Sequence, residues 1–222
     1  MKNLLILILI IFTVSLSGYV GNNEVNPSLL FESRIGPENS KVKVQVYTLT
    51  TADLRKLLLI NLVNQGKVKF RDTLIVQISD EPLIELIEVN GDGIKDLRVE
   101  YLRPGRGGNN VSIIYLYNSR NLRLEKISNS MNFPNLGYDE ELKYVSSFRF
   151  YGGDGVQMDY LEIVSDSLLS RHRIIREGCM IYVKKNTDGK WIEGKELKLE
   201  RNNIIIPDVL QLEPEVKIRN AS

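Results

Sequence analysis

The chain has 222 residues, enough for one domain of ordinary size with tails. Hydrophobic residues make up 43% and charged residues 26%, which excludes a disordered composition. The formal net charge is +1, and removing Lys2 with a leader leaves 28 basic against 28 acidic residues, so no charge surplus draws the chain to nucleic acid. Cys179 is the single cysteine and excludes a disulfide within the chain; set in Cys179-Met180-Ile181-Tyr182, it reads as a small buried hydrophobe.

The first element is a leader. Lys2 supplies a positive start, Leu4 to Val14 is apolar apart from Thr13, and Ser15-Leu16-Ser17 offers small residues for cleavage after Ser17 or Gly18. Residues 1–17 therefore read as a signal peptide. The apolar run falls short of the roughly 20 residues that span a bilayer, which sets the uncleaved-anchor alternative behind the cleaved one. Tyr19, not Cys, follows Gly18, so a lipid anchor is not supported. No later segment is apolar enough to span, so after cleavage the expected chain has no transmembrane segment and lies in the periplasm or outside the cell.

Residues 18–40 read as a linker rich in Asn, Pro, Ser and Gly. The ordered domain is expected over 41–200, opening where Val42, Val44 and Val46 alternate with polar neighbours. Ala52 to Val63 fits a helix with Leu54, Leu57, Leu58 and Leu62 on one face. It also fits a strand from Leu57 to Val63 that turns at Asn64-Gln65-Gly66-Lys67 and returns through Val68 and Phe70. The turn residues and the β-rich surroundings favour the hairpin. Further strands are expected over Thr73 to Ile78, Leu97 to Tyr101, Val111 to Tyr117, Lys143 to Phe150, Val156 to Val164, Gly178 to Lys184 and Lys190 to Leu199, with Asn186-Thr187-Asp188-Gly189 as a hairpin turn. Residues 201–222 read as a polar tail around Ile204 to Ile206. Many short strands between Gly/Asn/Asp turns predict an all-β, mostly antiparallel body with little helix, propeller-like or sandwich in build.

One connection carries chemistry. In Glu88-Val89-Asn90-Gly91-Asp92-Gly93-Ile94-Lys95-Asp96, oxygen-bearing side chains stand at positions 1, 3, 5 and 9, with Gly at 6. That is the spacing of a calcium loop, in which alternate residues of a tight turn aim oxygens at one centre. The expected ligands are Glu88, Asn90, Asp92, the Ile94 carbonyl and Asp96. Glu88 is one methylene longer than the usual Asp, and position 12 is Val99, so the bidentate Glu of a sensor is missing. The flanks read as strands. The expected role of Ca²⁺ is structural.

This loop resembles the D-x-N-x-D-G-x-x-D-[LI] signature of FG-GAP and VCBS-type β proteins. The order from Leu86 through Leu97, a Gly-rich loop, Ile114 to Asn118, Phe133-Pro134-Asn135-Leu136 and a strand ending in Gly152-Gly153 is similar to that of small periplasmic bacterial proteins with a propeller-like fold. Some of those are immunity proteins that inhibit lysozyme-like effectors of type IV secretion. The resemblance implies a protein partner of that kind, a lysozyme-like hydrolase, and a contact element at Tyr151, Gly152, Gly153 and Asp154.

Catalytic patterns do not emerge. His172 is the only histidine, and between Arg171 and Arg173 it reads as a surface residue. Gly105-Arg106-Gly107-Gly108 lacks the Lys-Ser/Thr and the helix of a phosphate loop. The sequence thus points to a non-enzymatic exported protein, an immunity or inhibitor protein for a cell-wall hydrolase. The alternative is a surface structural or carbohydrate-binding module.

Overall fold

A computed structural model describes residues 27–50, 56–77, 81–103, 108–140, 142–152, 155–177 and 180–198. These form fourteen strands in three sheets, each a meander in which every strand pairs antiparallel with its neighbour in sequence. The first sheet holds β1 (Ser28–Arg34), β2 (Val42–Thr50), β3 (Lys56–Asn64) and β4 (Lys67–Val76). The second holds β5 (Ile84–Ile87), β6 (Asp96–Leu102), β7 (Val111–Asn118) and β8 (Arg123–Lys126). The third holds β9 (Gly137–Asp139), β10 (Tyr144–Gly152), β11 (Gly155–Val164), β12 (Ser167–Glu177), β13 (Met180–Thr187) and β14 (Lys190–Lys198). One 3₁₀ turn, Ser130–Asn132, precedes the third sheet. Among the described residues no sheet closes into a barrel. Among the described residues no helix is long and apolar enough to cross a membrane. The all-β, antiparallel expectation holds.

The second sheet is the middle layer. Along β7, Ile113, Tyr115 and Tyr117 face a core shared with Val44, Val46, Leu58, Ile60 and Leu62 of the first sheet. Ile114 faces the other way, into a second core with Val145, Leu161 and Leu168 of the third sheet. Burial on both faces is why Ile113 to Tyr117 of β7 form an unbroken apolar run rather than an alternating one.

The segment expected as helix or hairpin is a hairpin: β3 and β4 pair through a turn in which Gln65 and Gly66 both have positive φ, the geometry that matches strand twist. Residues 51–55 of that segment lie outside the described residues. The linker expected over 18–40 is corrected from residue 28 onward, because Ser28–Arg34 is β1, paired with β2. A bulge between Leu29 and Phe31 turns both Leu30 and Phe31 toward the first core. That breaks the two-residue period by which a strand is read. The ordered domain therefore opens at β1 rather than near Lys41. The leader and the tail after residue 198 lie outside the described residues, as does Cys179.

Candidate functional site

The loop from Glu88 to Asp96 joins β5 to β6 and is fastened to both cores. Val89 is fully buried in the second core, and Ile94 packs against the first. Between these two anchors the polar side chains fold back on the loop's own amides. Glu88 Oε1 accepts from Asn90 N–H at 3.1 Å and Gly91 N–H at 2.7 Å. Asn90 Oδ1 accepts from Asp92 N–H at 3.1 Å, and Asp92 Oδ1 accepts from Ile94 N–H at 2.7 Å. Each side chain thus caps an amide two or three residues on, which holds the turn, and the Asn90 side-chain N–H also donates to Asp92 Oδ2 at 3.1 Å.

Gly91 and Gly93 have φ near +75° and +77°. At Gly91 a methyl group would overlap the Tyr138 phenol, which lies directly over the Cα. Gly93 has open space around it, so only its backbone conformation calls for glycine.

Asp96 is 0% exposed. Its two oxygens accept from Val89 N–H at 3.3 Å and Tyr117 N–H at 2.9 Å, tying the loop's start to its end and both to β7. Burial pushes its carboxyl up to about 7, and the neighbouring carboxylates of Asp92 and Glu88 push the same way, against the pull of the two amides. Among the described residues no ion pair reaches Glu88, Asp92 or Asp96. This knot of negative charge favours a cation of hard character, and the donors present are all oxygens. No three His, Cys, Asp or Glu side chains among the described residues form a ligand set by themselves. A cation would therefore draw on the Asn90 amide oxygen and the Ile94 carbonyl as well. Position 12 contributes nothing: Val99 is in the first core, and Glu100 is buried against Leu83 N–H and the Arg103 guanidinium.

The expected contact element follows β10. Tyr151 is 57% exposed, and Gly152 has φ +85°. Gly153 and Asp154 lie outside the described residues. The strand leading to Tyr151 is held by residues far off in sequence. Asn109 grips the Phe150 backbone in both directions, donating to its carbonyl at 2.7 Å and accepting from its N–H at 2.8 Å. Asn135 donates to the Phe148 carbonyl at 2.8 Å and also to the Gly108 carbonyl. At the other end the Tyr151 hydroxyl donates to Gln157 Oε1 at 2.5 Å. Gln157 donates to Asp159, which is only 3% exposed and also accepts from Ser170 at 2.8 Å and Arg173 at 2.7 Å. The Arg173 guanidinium lies 4.6 Å from the Trp191 ring centre. Asn109, Gln157, Asp159 and Arg173 carry no local motif, so the sequence singled out none of them for this role.

His172 is not a surface residue. It is 6% exposed, paired across from Tyr160 and edge-on to Tyr144 at 6.1 Å. Arg171 and Arg173 are paired with Glu162 and Asp159. His172 lines an open cleft of about 820 Å³ together with Tyr138, Tyr144 and Lys143.

No protein-family model matches the chain, and the comparison with curated proteins returns no match. Among solved structures, the fold is similar to that of a protein related to a Xanthomonas type IV secretion system. The two are 16% identical with a TM-score of 0.53, over 79% of this chain and 96% of that one. At this identity, what the two chains share is the fold.

Proposed function

We propose that the protein is an exported, non-catalytic β protein that docks on a lysozyme-like cell-wall hydrolase and inhibits it, as an immunity protein does. The loop from Glu88 to Asp96 holds one structural calcium ion in this reading. The observation that carries it is the β10–β11 turn, where an exposed tyrosine stands on a strand clamped from outside its own hairpin. Tyrosine is a common interface anchor, and a pre-ordered one loses less entropy on docking. The fold's likeness to a protein related to type IV secretion supports a place beside secreted effectors. The leader-like N-terminus supports export.

The ion would be held by Glu88, Asn90 and Asp92 side chains, the Ile94 carbonyl and Asp96. Bound there, it would supply the positive charge that three neighbouring carboxylates lack. The chain's own part is positional: Val89 and Ile94 fix the loop to the two cores, and the loop in turn braces the seam between the second and third sheets through Gly91 and Tyr138.

The test is capture from the cell envelope with the tagged full-length protein, followed by assay of each captured lysozyme-like hydrolase on peptidoglycan. One hydrolase should bind and lose its activity at a Kd of about 1 μM or tighter, or roughly −8 kcal/mol. Failure of every hydrolase to bind at that concentration would sink this reading. Retention of the protein on peptidoglycan glycans without a hydrolase would replace it with the carbohydrate-binding one.

A further inference from the structure

The Tyr151 ring is exposed, yet its hydroxyl is already satisfied within the molecule by Gln157. A docking partner therefore meets the ring, not the hydroxyl. The group that takes the hydroxyl belongs to a buried polar chain, Gln157–Asp159–Ser170, in which each member is bonded to the next. Apolar side chains would fill the same volume without the cost of desolvating polar groups. The polar chain does what apolar side chains cannot: it fixes one phenol in one orientation.

The backbone is fixed separately. On the side of β10 facing β9, backbone pairing with β9 ends at Ser146. Beyond it, Phe148 N–H donates to the Pro134 carbonyl, and the Phe148 carbonyl accepts from Asn135. The Phe150 N–H and carbonyl then both pair with Asn109. The Asn109 side-chain amide thus acts as one extra residue of a neighbouring strand, placed beside the residue before Tyr151. The Phe148 and Phe150 rings meet edge-on at 4.5 Å, and Phe150 lies against Gly108, one residue before Asn109.

We propose that Asn109 and Gln157 are positioning residues for Tyr151. Asn109 sets its backbone and Gln157 sets its ring, so that the ring is ordered before the partner arrives. This rests on the reading that the β10–β11 turn is the contact element for the hydrolase.

The test uses full-length protein labelled with fluorotyrosine, with the Tyr151 signal assigned through Tyr151→Phe, and the hydrolase captured above as binding partner. In the free protein, Asn109→Ala and Gln157→Leu each move the Tyr151 fluorine signal toward the solvent-averaged position, while the other tyrosine signals hold and the melting temperature falls by no more than about 10 °C. In binding, Tyr151→Ala loses more than about 30-fold, as removal of an anchor does. Tyr151→Phe, Gln157→Leu and Asn109→Ala each lose about 3- to 10-fold, the scale of ordering one side chain. The double variant Tyr151→Phe/Gln157→Leu binds no more weakly than either single one, because both remove the same hydrogen bond. A merely structural Gln157 would give additive losses. An unmoved Tyr151 signal, or additive losses, overturns the proposal. If the signal moves as expected and wild type binds no hydrolase, the partner reading falls and the ordering of Tyr151 stands.

Discussion

The connection between β5 and β6 and the turn between β10 and β11 are both short and glycine-rich, but they are held in opposite ways. The first is held from within: Glu88, Asn90 and Asp92 cap amides two or three residues ahead, and Asp96 closes the loop onto its own start at Val89. The second is held at its base from outside, where Asn109 reaches Phe150 across 41 residues of chain, while Gln157 on the hairpin's own second strand takes the Tyr151 hydroxyl. A self-capped loop is a rigid part of the core. An externally clamped turn leaves its outermost ring facing solvent while its base is fixed. The difference separates a connection built to brace the fold from one built to present a side chain.

The largest expected effect lies in the self-capped loop and is set by Asp96. Its carboxyl is held at about 7 in the folded chain, against about 4 in the unfolded chain. Between those values the folded state binds more protons than the unfolded one. Stability of the calcium-free protein should therefore fall as pH rises through this window, by up to roughly 1.4 kcal/mol per pH unit. Urea unfolding in chelator at pH 5 and pH 7.5 should show a loss of about 3 kcal/mol. Asp96→Asn, which carries no charge, should flatten the profile. Stability that stays level or rises across the window would mean that the knot of carboxylates is not costly.

Chelation tests the same loop from the side of the ion. At pH 7.5, EGTA should lower the melting temperature. An ion present at about 100 times its Kd adds roughly 2.7 kcal/mol, or about 5 to 10 °C for a domain of this size. Asp92→Ala should abolish the EGTA effect, since it removes one ligand from the 1-3-5 set. An identical melting curve with and without chelator would remove calcium and leave a turn braced only by its own hydrogen bonds.

The two glycines of the loop refine the picture further. Gly93→Ala should cost about 1 kcal/mol, the penalty of a side chain at positive φ with space around it. Gly91→Ala should cost about 2 to 3 kcal/mol, because the same strain is joined by overlap with Tyr138 from the third sheet. Equal costs, measured by urea unfolding, would mean that the loop does not brace the seam between the sheets.

The connection from Glu88 to Asp96 was legible in the sequence as a loop between two strands, because its Asn, Asp and Gly turn residues and its flanking strands fall close together. The strand β7 was legible for a similar reason, since its β-branched and aromatic run has few other uses. Three features were not. β1 was hidden by the bulge that turns Leu30 and Phe31 to the same core. His172 reads as a surface residue because of its arginine neighbours, but Glu162 and Asp159 hold those while His172 packs edge-on to Tyr144. Asn109 sits in a glycine-rich stretch that signals only a loop. Its function is defined by Phe150, and no local pattern connects the two.

The smallest expected effect lies in the externally clamped turn. Asn109→Ala removes two hydrogen bonds that lie at the surface, where water replaces both partners. Its cost in urea unfolding should be at most about 1 kcal/mol. Hydrogen exchange should nonetheless change locally, with the Phe150 amide losing protection while the amides of Tyr115 and Leu161, in the two cores, keep theirs. Asn109 would then be a residue with little bearing on the fold and a direct bearing on the order of Tyr151. A global loss of protection, or a cost of several kcal/mol, would put the turn in the same class as the Glu88–Asp96 loop and erase the distinction between bracing and presenting.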